Sequence, residues 1–535
     1  MVNAPVSRSG RARRFARAFL AALVLGVPAM GAAPAQAQTS PQGSWELTGA
    51  LGTPRFDHTL TLLANGKVLA AGGRTSPAGT VFNTAEVYDP VTELWTPTGP
   101  MNDYRWQHTA TLLADGRVLV AGGFGGLPTG TGENAQPVVN TAEIYNPATN
   151  TWTPTGPMNV RRALATATLL PNGQVLVAGG RWCPNAPPAT CNFLFRTATA
   201  ELFNPATGTW TPTGSMTQAR HTTASVLLPD GRVIVPAGFT DNGNGFNADI
   251  YNPGTGTWAA TSNLNVPRAR QGAMLLQDGR VMVVAGFPAT QTTEIYDPST
   301  DVWTLAAPLT TTGNRFNYAY TVMPNGKVLV ASGVAAGVPV RNTDEYDPAS
   351  NTWAAQAPMN ETHASSSSLA NSYRAVVLSA SPTSYVADPY VCGRNCGKVL
   401  VAGNSPAGTS ELYTANGTCY GFNATIVGTA GNDDIPGTAG RDVIIGLAGD
   451  DRISAGDGND VVCAGTGNDQ VSGGTGADVL LGGEATDQLV GGDDADALFG
   501  EVGNDALVGG NGTDLADGWV GTDGCYTAET LRNCP

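Results

Sequence analysis

From Gly428 to Tyr526 the sequence divides without a gap into eleven nonapeptides, from GTAGNDDIP to GWVGTDGCY. The sixth position is aspartate in every one: Asp433, Asp442, Asp451, Asp460, Asp469, Asp478, Asp487, Asp496, Asp505, Asp514 and Asp523. The fourth is glycine in nine of the eleven, with Ala485 and Asp494 as exceptions. The eighth is apolar, from Ile435 and Ile444 down to Ala516 and Cys525. So strict a period leaves few folds open. A residue that returns every nine positions on a repeating turn stacks above its equivalents, and the eighth-position side chains then build a core on short strands. Glycines at positions one and four are expected to give positive φ and expose carbonyls. An aspartate two residues further on sits among those carbonyls. Hard oxygen ligands set this closely suit calcium, which takes about six to eight of them in flexible geometry.

The pattern resembles the RTX nonapeptide repeat, G-G-x-G-x-D-x-U-x. That resemblance implies a parallel β-roll binding Ca²⁺, with the eleven aspartates as ligands. The charge agrees. Between Gly428 and Tyr526 nineteen Asp and Glu face two arginines, Arg441 and Arg452, a net of −17. Without a cation such repulsion opposes compaction, and a Gly/Asp-rich coil is expected.

Residues 1–37 read as a secretory signal peptide. Arg8, Arg11, Arg13, Arg14 and Arg17 precede a short apolar run from Ala18 to Val27, and Ala35-Gln36-Ala37 is a small-x-small cleavage site. No later apolar run is long enough to span a bilayer, so no transmembrane span is expected. Loss of the signal takes the formal charge from −15 to −20 and leaves only −3 on residues 38–427. Neither half carries the basic patch of a nucleic-acid binder.

A second, longer repeat fills residues 38–418. An apolar strand ends in a small-Gly pair such as Gly72-Gly73 or Gly122-Gly123, seven times over. An aromatic follows each pair, at Tyr88, Tyr145, Phe203, Tyr251, Tyr296, Tyr346 and Tyr413, and a tryptophan stands seven residues beyond each of the first six. Asn65-Gly66 and Asp115-Gly116 are tight-hairpin signals. Four short strands per period, with these glycines and aromatics, resemble the kelch repeat. That implies an all-β chain: a seven-bladed kelch β-propeller, then the RTX β-roll over 419–535. Trp45 lies ahead of the first full unit, so the N-terminal strand is expected to complete the last blade; the alternative is closure by the segment around Tyr420.

An arginine stands ten residues before each Asp/Asn-Gly turn, at Arg55, Arg105, Arg162, Arg220, Arg268 and Arg315, with His363 in the seventh unit. An acid stands two residues before each repeat aromatic, from Glu86 to Glu411. We read these as one ion pair per blade or blade junction. The alternative is a ring of arginines at the channel mouth that binds an anion.

Eight cysteines suit an oxidising compartment. Nearness favours Cys183–Cys191 and Cys392–Cys396; Cys525–Cys534 would staple the end of the roll and Cys419–Cys463 tie its start to the fourth repeat, although sequence does not fix connectivity. The function expected is that of a secreted, calcium-binding, non-catalytic binding or adhesion protein. Its propeller would contact an extracellular protein or carbohydrate, and its roll would act as a calcium-gated spacer or stalk. The alternative is a secreted carbohydrate-active enzyme resembling galactose oxidase, a copper enzyme with tyrosine and histidine ligands. Of the four histidines, His58 and His108 hold equivalent places in adjacent blades and are the candidates for such a metal.

Overall fold

The computed structural model describes residues 43–534, except 77–78, 126–136, 183–194, 289–290, 311–314, 365–372 and 380–388. The signal segment and the Cys183–Cys191 pair lie outside the described residues. Apart from the helical turn Pro389–Cys392 and the 3₁₀ turn Gly393–Asn395, the described secondary structure is all β.

Residues 44 to 414 build seven sheets arranged as propeller blades, antiparallel except where Tyr373–Arg374 adds a fifth, parallel strand to the inner edge of blade 6. Blade 1 runs Thr59–Leu62, Val68–Ala71, Ala85–Asp89, Leu94–Pro97 from channel to rim, and blades 2 to 6 repeat that order. The second strand of every blade is an apolar run with all four residues buried, as in VLAA at Val68–Ala71 and VLVA at Val118–Ala121. A strand covered on both faces needs no alternation of polar and apolar residues. The spacing of seven between aromatic and tryptophan also finds its reason. It sets Tyr88 opposite Trp95 across the third and fourth strands, with ring centroids 5.2 Å apart, a geometry that stabilises aromatic pairs. In blade 7 the partner comes from the other end of the chain. Ser44–Thr48 pairs with Ser410–Thr414, so Trp45 faces Tyr413 at 4.9 Å. The N-terminal strand therefore closes the ring, and Tyr420 does not.

Each repeat arginine pairs with the repeat acid of its own blade. Arg55–Glu86 is 2.6 Å, Arg105–Glu143 2.8 Å, Arg162–Glu201 2.8 Å and Arg268–Glu294 2.5 Å, while His363–Glu411 at 3.1 Å serves blade 7. Arg220–Asp249 and Arg315–Asp344 complete the set. The arginines are at most 1 % exposed. Each is tied down further: Arg162 also donates to the carbonyls of Gly179 and Thr199. Glu201 in turn accepts the backbone N–H groups of Asn159 and Val160. The arginines are thus blade braces and not an open anion-binding ring.

The C-terminal region is a parallel β-roll. One sheet stacks seven strands from Ile426–Val427 to Thr530–Arg532, and the other stacks six from Asp434–Pro436 to Gly524–Tyr526. Register advances by eighteen residues, as in Ile444↔Val462↔Leu480↔Leu498↔Ala516. The stacking period is therefore two nonapeptides, and alternate repeats face each other across a dry core of eighth-position side chains. The expected positive φ also moves. It occurs at positions two and four, for example Gly474 and Gly476, and even side-chain-bearing Leu447, Glu501 and Trp519 adopt it at position two.

The two sheets differ on their outer faces. Positions seven and nine of the even repeats are apolar except at Asp517, as in Val443, Val461, Leu481, Ala497 and Phe499, which pack with Cys392, Cys396, Cys419 and Tyr420. The same positions of the odd repeats are mostly polar, as Arg452, Ser454, Gln470 and Ser472. The roll thus lies against the seventh-blade insertion and does not extend from the propeller as a free stalk. Disulfides join Cys392–Cys396, Cys419–Cys463 and Cys525–Cys534. Arg394, inside the first of these loops, pairs with Glu93 of blade 1 at 2.8 Å and Glu501 of the roll at 3.5 Å. Its guanidinium also lies 4.4 Å from the Trp519 ring centroid.

Removing one partner of a buried pair strands the other as an uncompensated charge. Glu201→Ala should therefore lower stability by about 3–5 kcal/mol. Breaking the exposed Arg117–Asp115 pair with Arg117→Ala should cost less than ~1 kcal/mol. Urea unfolding of both variants reads the difference.

Candidate calcium sites and the propeller channel

The eleven repeat aspartates fall on two columns, one per edge of the roll. Asp433, Asp451, Asp469, Asp487, Asp505 and Asp523 form one; Asp442, Asp460, Asp478, Asp496 and Asp514 form the other. From Asp451 onward each Oδ1 accepts the backbone N–H of the aspartate eighteen residues earlier, at 2.8–2.9 Å, as Asp487 does from Asp469 and Asp496 from Asp478. One carboxylate oxygen thereby becomes part of the β-ladder.

The other oxygen is treated differently along the roll. In the first two repeats a threonine at position two holds it. Thr429 donates to Asp433 Oδ2 from its N–H at 2.6 Å and its hydroxyl at 2.9 Å, and Thr438 does the same for Asp442 at 2.6 and 2.8 Å. From Asp451 to Asp523 the remaining nine Oδ2 atoms are buried without a hydrogen-bond partner. Their residues are at most 3 % exposed.

What surrounds these oxygens fits a hard cation. A Cβ added at Gly473, a first-position glycine, would lie 2.3 Å from Asp478 Oδ2 and 2.7 Å from the carbonyl oxygen of Gly491. Gly482 stands in the same relation to Asp487 and Gly500, and Gly491 to Asp496 and Gly509. A glycine at position one therefore leaves a cradle in which a carboxylate and a carbonyl of the next stacked turn come together. In the fourth and fifth repeats the first-position residue is Ala455 or Ala464, which brings a methyl to that place. No three acidic, histidine or cysteine side chains cluster among the described residues. A cation here would draw most of its oxygens from the backbone, with Asp451 through Asp523 supplying the charge. Calcium would neutralise the carboxylates and take the place of the missing hydrogen-bond donors.

Burial pushes these carboxyl groups up: Asp478, Asp487 and Asp496 to about 7 and Asp505 to about 6, with the neighbouring carboxylates of the column adding to the shift. Asp451, Asp460 and Asp469 move in the same direction for the same first cause.

In the propeller the inner strands line a channel cavity of about 970 Å³. Its lining mixes threonines, including Thr109, Thr111, Thr166 and Thr168, with apolar residues such as Met274, Leu275 and Val322. A collar rims it at the arginine-bearing end. Asp57, Gln107, Leu164, Thr222, Arg270 and Asn317, each two residues after its blade's arginine, all have φ between 50° and 57°. Backbone N–H groups run from blade to blade around it, Gln107 to Asp57 at 3.2 Å, Leu164 to Gln107 at 3.1 Å and Thr222 to Leu164 at 3.2 Å. Sequence reasoning missed this collar. Its residue types share nothing, and only their constant offset from the arginine marks them.

The two candidate copper ligands are wedges between blades. The His58 ring lies against Gly403 of blade 7, where an added Cβ would fall 2.4 Å from its Cε1, and His108 lies likewise against Gly72 of blade 1 at 2.8 Å. Burial and the adjacent Arg55 push His58 down to about 3, and burial with Arg105 pushes His108 down as well, so both imidazoles are neutral. His221 neighbours Thr222, and His363 braces Glu411. The four histidines thus hold four separate places.

The raised carboxyl groups set a pH dependence for the calcium-free roll. The folded roll binds more protons than the unfolded chain, so its stability is full below the ordinary aspartate range, about pH 4, and is lost as pH rises through about 7. Far-UV circular dichroism in EDTA should show more β structure at pH 5 than at pH 8.

Comparisons with known proteins agree with this geometry. The RTX calcium-binding nonapeptide repeat matches four times, at residues 427–462, 436–471, 464–498 and 490–525. The kelch motif matches at 61–102 and 106–159. No curated protein matches the sequence. Among solved structures, a fungal alcohol oxidase of the AA5 family in complex with copper has 15 % identity over 70 % of this chain and 76 % of its own, with a TM-score of 0.50. YjhT has 16 % identity over 58 % of this chain and 100 % of its own, with a TM-score of 0.44. At such identity the likeness to the alcohol oxidase speaks to the fold alone. The chain carries kelch motifs in a β-propeller and RTX calcium-binding repeats in the parallel β-roll that follows it.

Proposed function

We propose that this chain is an extracellular, calcium-dependent binding protein. Its propeller serves as the interaction scaffold for an external protein or carbohydrate, and calcium folds the roll against it. The observation that carries the calcium reading is the set of nine buried carboxylate oxygens without donors, stacked in two columns. Burying a carboxylate unpaired is costly, and a divalent cation removes that cost. The disulfides and the RTX repeats support an oxidising, calcium-rich location outside the cell. Among the described residues no helix is long and apolar enough to cross a membrane.

The docked roll gives calcium a route to the propeller. Arg394 reaches Glu501 and Trp519, which occupy the second positions of the ninth and eleventh repeats, inside the turns of Asp505 and Asp523. Ordering those turns fixes the partners of a side chain that also braces blade 1 through Glu93.

The test is far-UV circular dichroism and thermal melting of the full-length chain in EDTA and in ~1 mM CaCl₂, the range typical of extracellular calcium modules. Calcium should add β signal and raise the melting temperature by mass action, reversibly with chelator. Spectra and melts indifferent to calcium would overturn the reading.

A further inference from the structure

The eleven repeat aspartates are alike in sequence and unlike in what they touch. Asp433 and Asp442 have Oδ2 engaged by the chain itself, and Asp442 has Oδ1 engaged as well. Oδ2 takes two donors from the threonine four residues earlier. Oδ1 of Asp442 also lies 3.2 Å from the Thr425 hydroxyl. A threonine can do this because position two of these repeats is not in the left-handed region. From the third repeat onward, position two has positive φ at Leu447, Gly456, Gly465, Gly474 and each later repeat through Trp519. That change in backbone turns the second-position N–H away from the carboxylate. The GTAG openings of repeats one and two therefore replace a cation with donors of their own.

Charge is distributed in the same sense. Repeats one and two carry three acids and Arg441, a net of −2, leaving −15 on repeats three to eleven. The Arg441 guanidinium is held 4.1 Å from the Phe422 ring centroid. The first turns are also tethered: Val443 of the second repeat packs with Cys419 and Tyr420, and the Cys419–Cys463 disulfide closes a loop that contains repeats one to three. Little repulsion, Oδ2 atoms already held by donors and a covalent tether leave this end without need of an ion.

Accordingly we infer that Asp433 and Asp442 are not calcium ligands, and that the first two nonapeptides form a calcium-independent cap from which the calcium-binding turns, beginning at Asp451, assemble. This rests on the calcium reading for the nine later aspartates. It deepens that reading by dividing one uniform motif into a structural end and an ion-binding body.

Two measurements on the full-length chain test it. In calorimetric titration of chelator-treated protein with CaCl₂, Asp433→Asn/Asp442→Asn should bind as many ions as the unaltered chain. Asp478→Asn/Asp487→Asn should bind fewer, or bind about tenfold or more weakly. Equal losses in the two double variants would overturn the inference. In hydrogen exchange with EDTA, amides of residues 429–445 should stay protected while those of 473–500 exchange freely, and Thr429→Val/Thr438→Val should abolish the difference. If 429–445 exchanges as fast as 473–500 in the unaltered chain, the cap is overturned whatever calcium does. If 429–445 is protected but the unaltered chain takes up no calcium, the cap stands and the calcium reading of the later repeats falls.

Discussion

The roll is built around carboxylates that its own backbone cannot satisfy. Each stacked turn must place an aspartate at the edge, because one of its oxygens accepts the N–H of the aspartate in the turn before. The same placement buries the other oxygen where no donor reaches it. Ladder geometry and unpaired charge therefore come as one package, and the eighth-position core must be assembled against that cost. A fold of this kind is conditional: it is stable when something positive enters, a proton at low pH or a divalent cation at neutral pH.

The propeller meets the same problem and solves it internally. Its seven repeat acids are as deeply buried as the roll's aspartates, yet each faces an arginine or His363 in its own blade, and Arg162, for one, has further donors that end on backbone carbonyls. Such pairs specify geometry more than they stabilise. Here each pair sits two residues ahead of a collar position that shares one left-handed φ in blades 1 to 6. One chain thus contains a module closed electrostatically by its own side chains and a module left open to ions.

The two are joined by more than a tether. The apolar outer face of one sheet of the roll covers the seventh-blade insertion, and Arg394 bridges blade 1 to turns of the roll that carry candidate calcium ligands.

Periods and spacings were legible in the sequence because local rules set them. Nine residues returned an aspartate and an apolar side chain, and seven residues set tyrosine opposite tryptophan across one hairpin. An arginine and an acid at constant offsets from the turn and the aromatic gave one pair per blade. Even the closure by Trp45 followed, since a strand with an aromatic and no partner was left at each end. What the sequence alone did not decide was which equivalents stack. Eighteen residues, not nine, make a turn, because two strands must pack face to face before either can bury its eighth residue. The alternation of apolar and polar residues at positions seven and nine carried that information, but it is meaningful only once one face is known to lie against the propeller. In the same way, eleven identical aspartates became two capped and nine unpaired only through the backbone conformation of the residue at position two. Whether a donor reaches a carboxylate depends on where the folded turn points it.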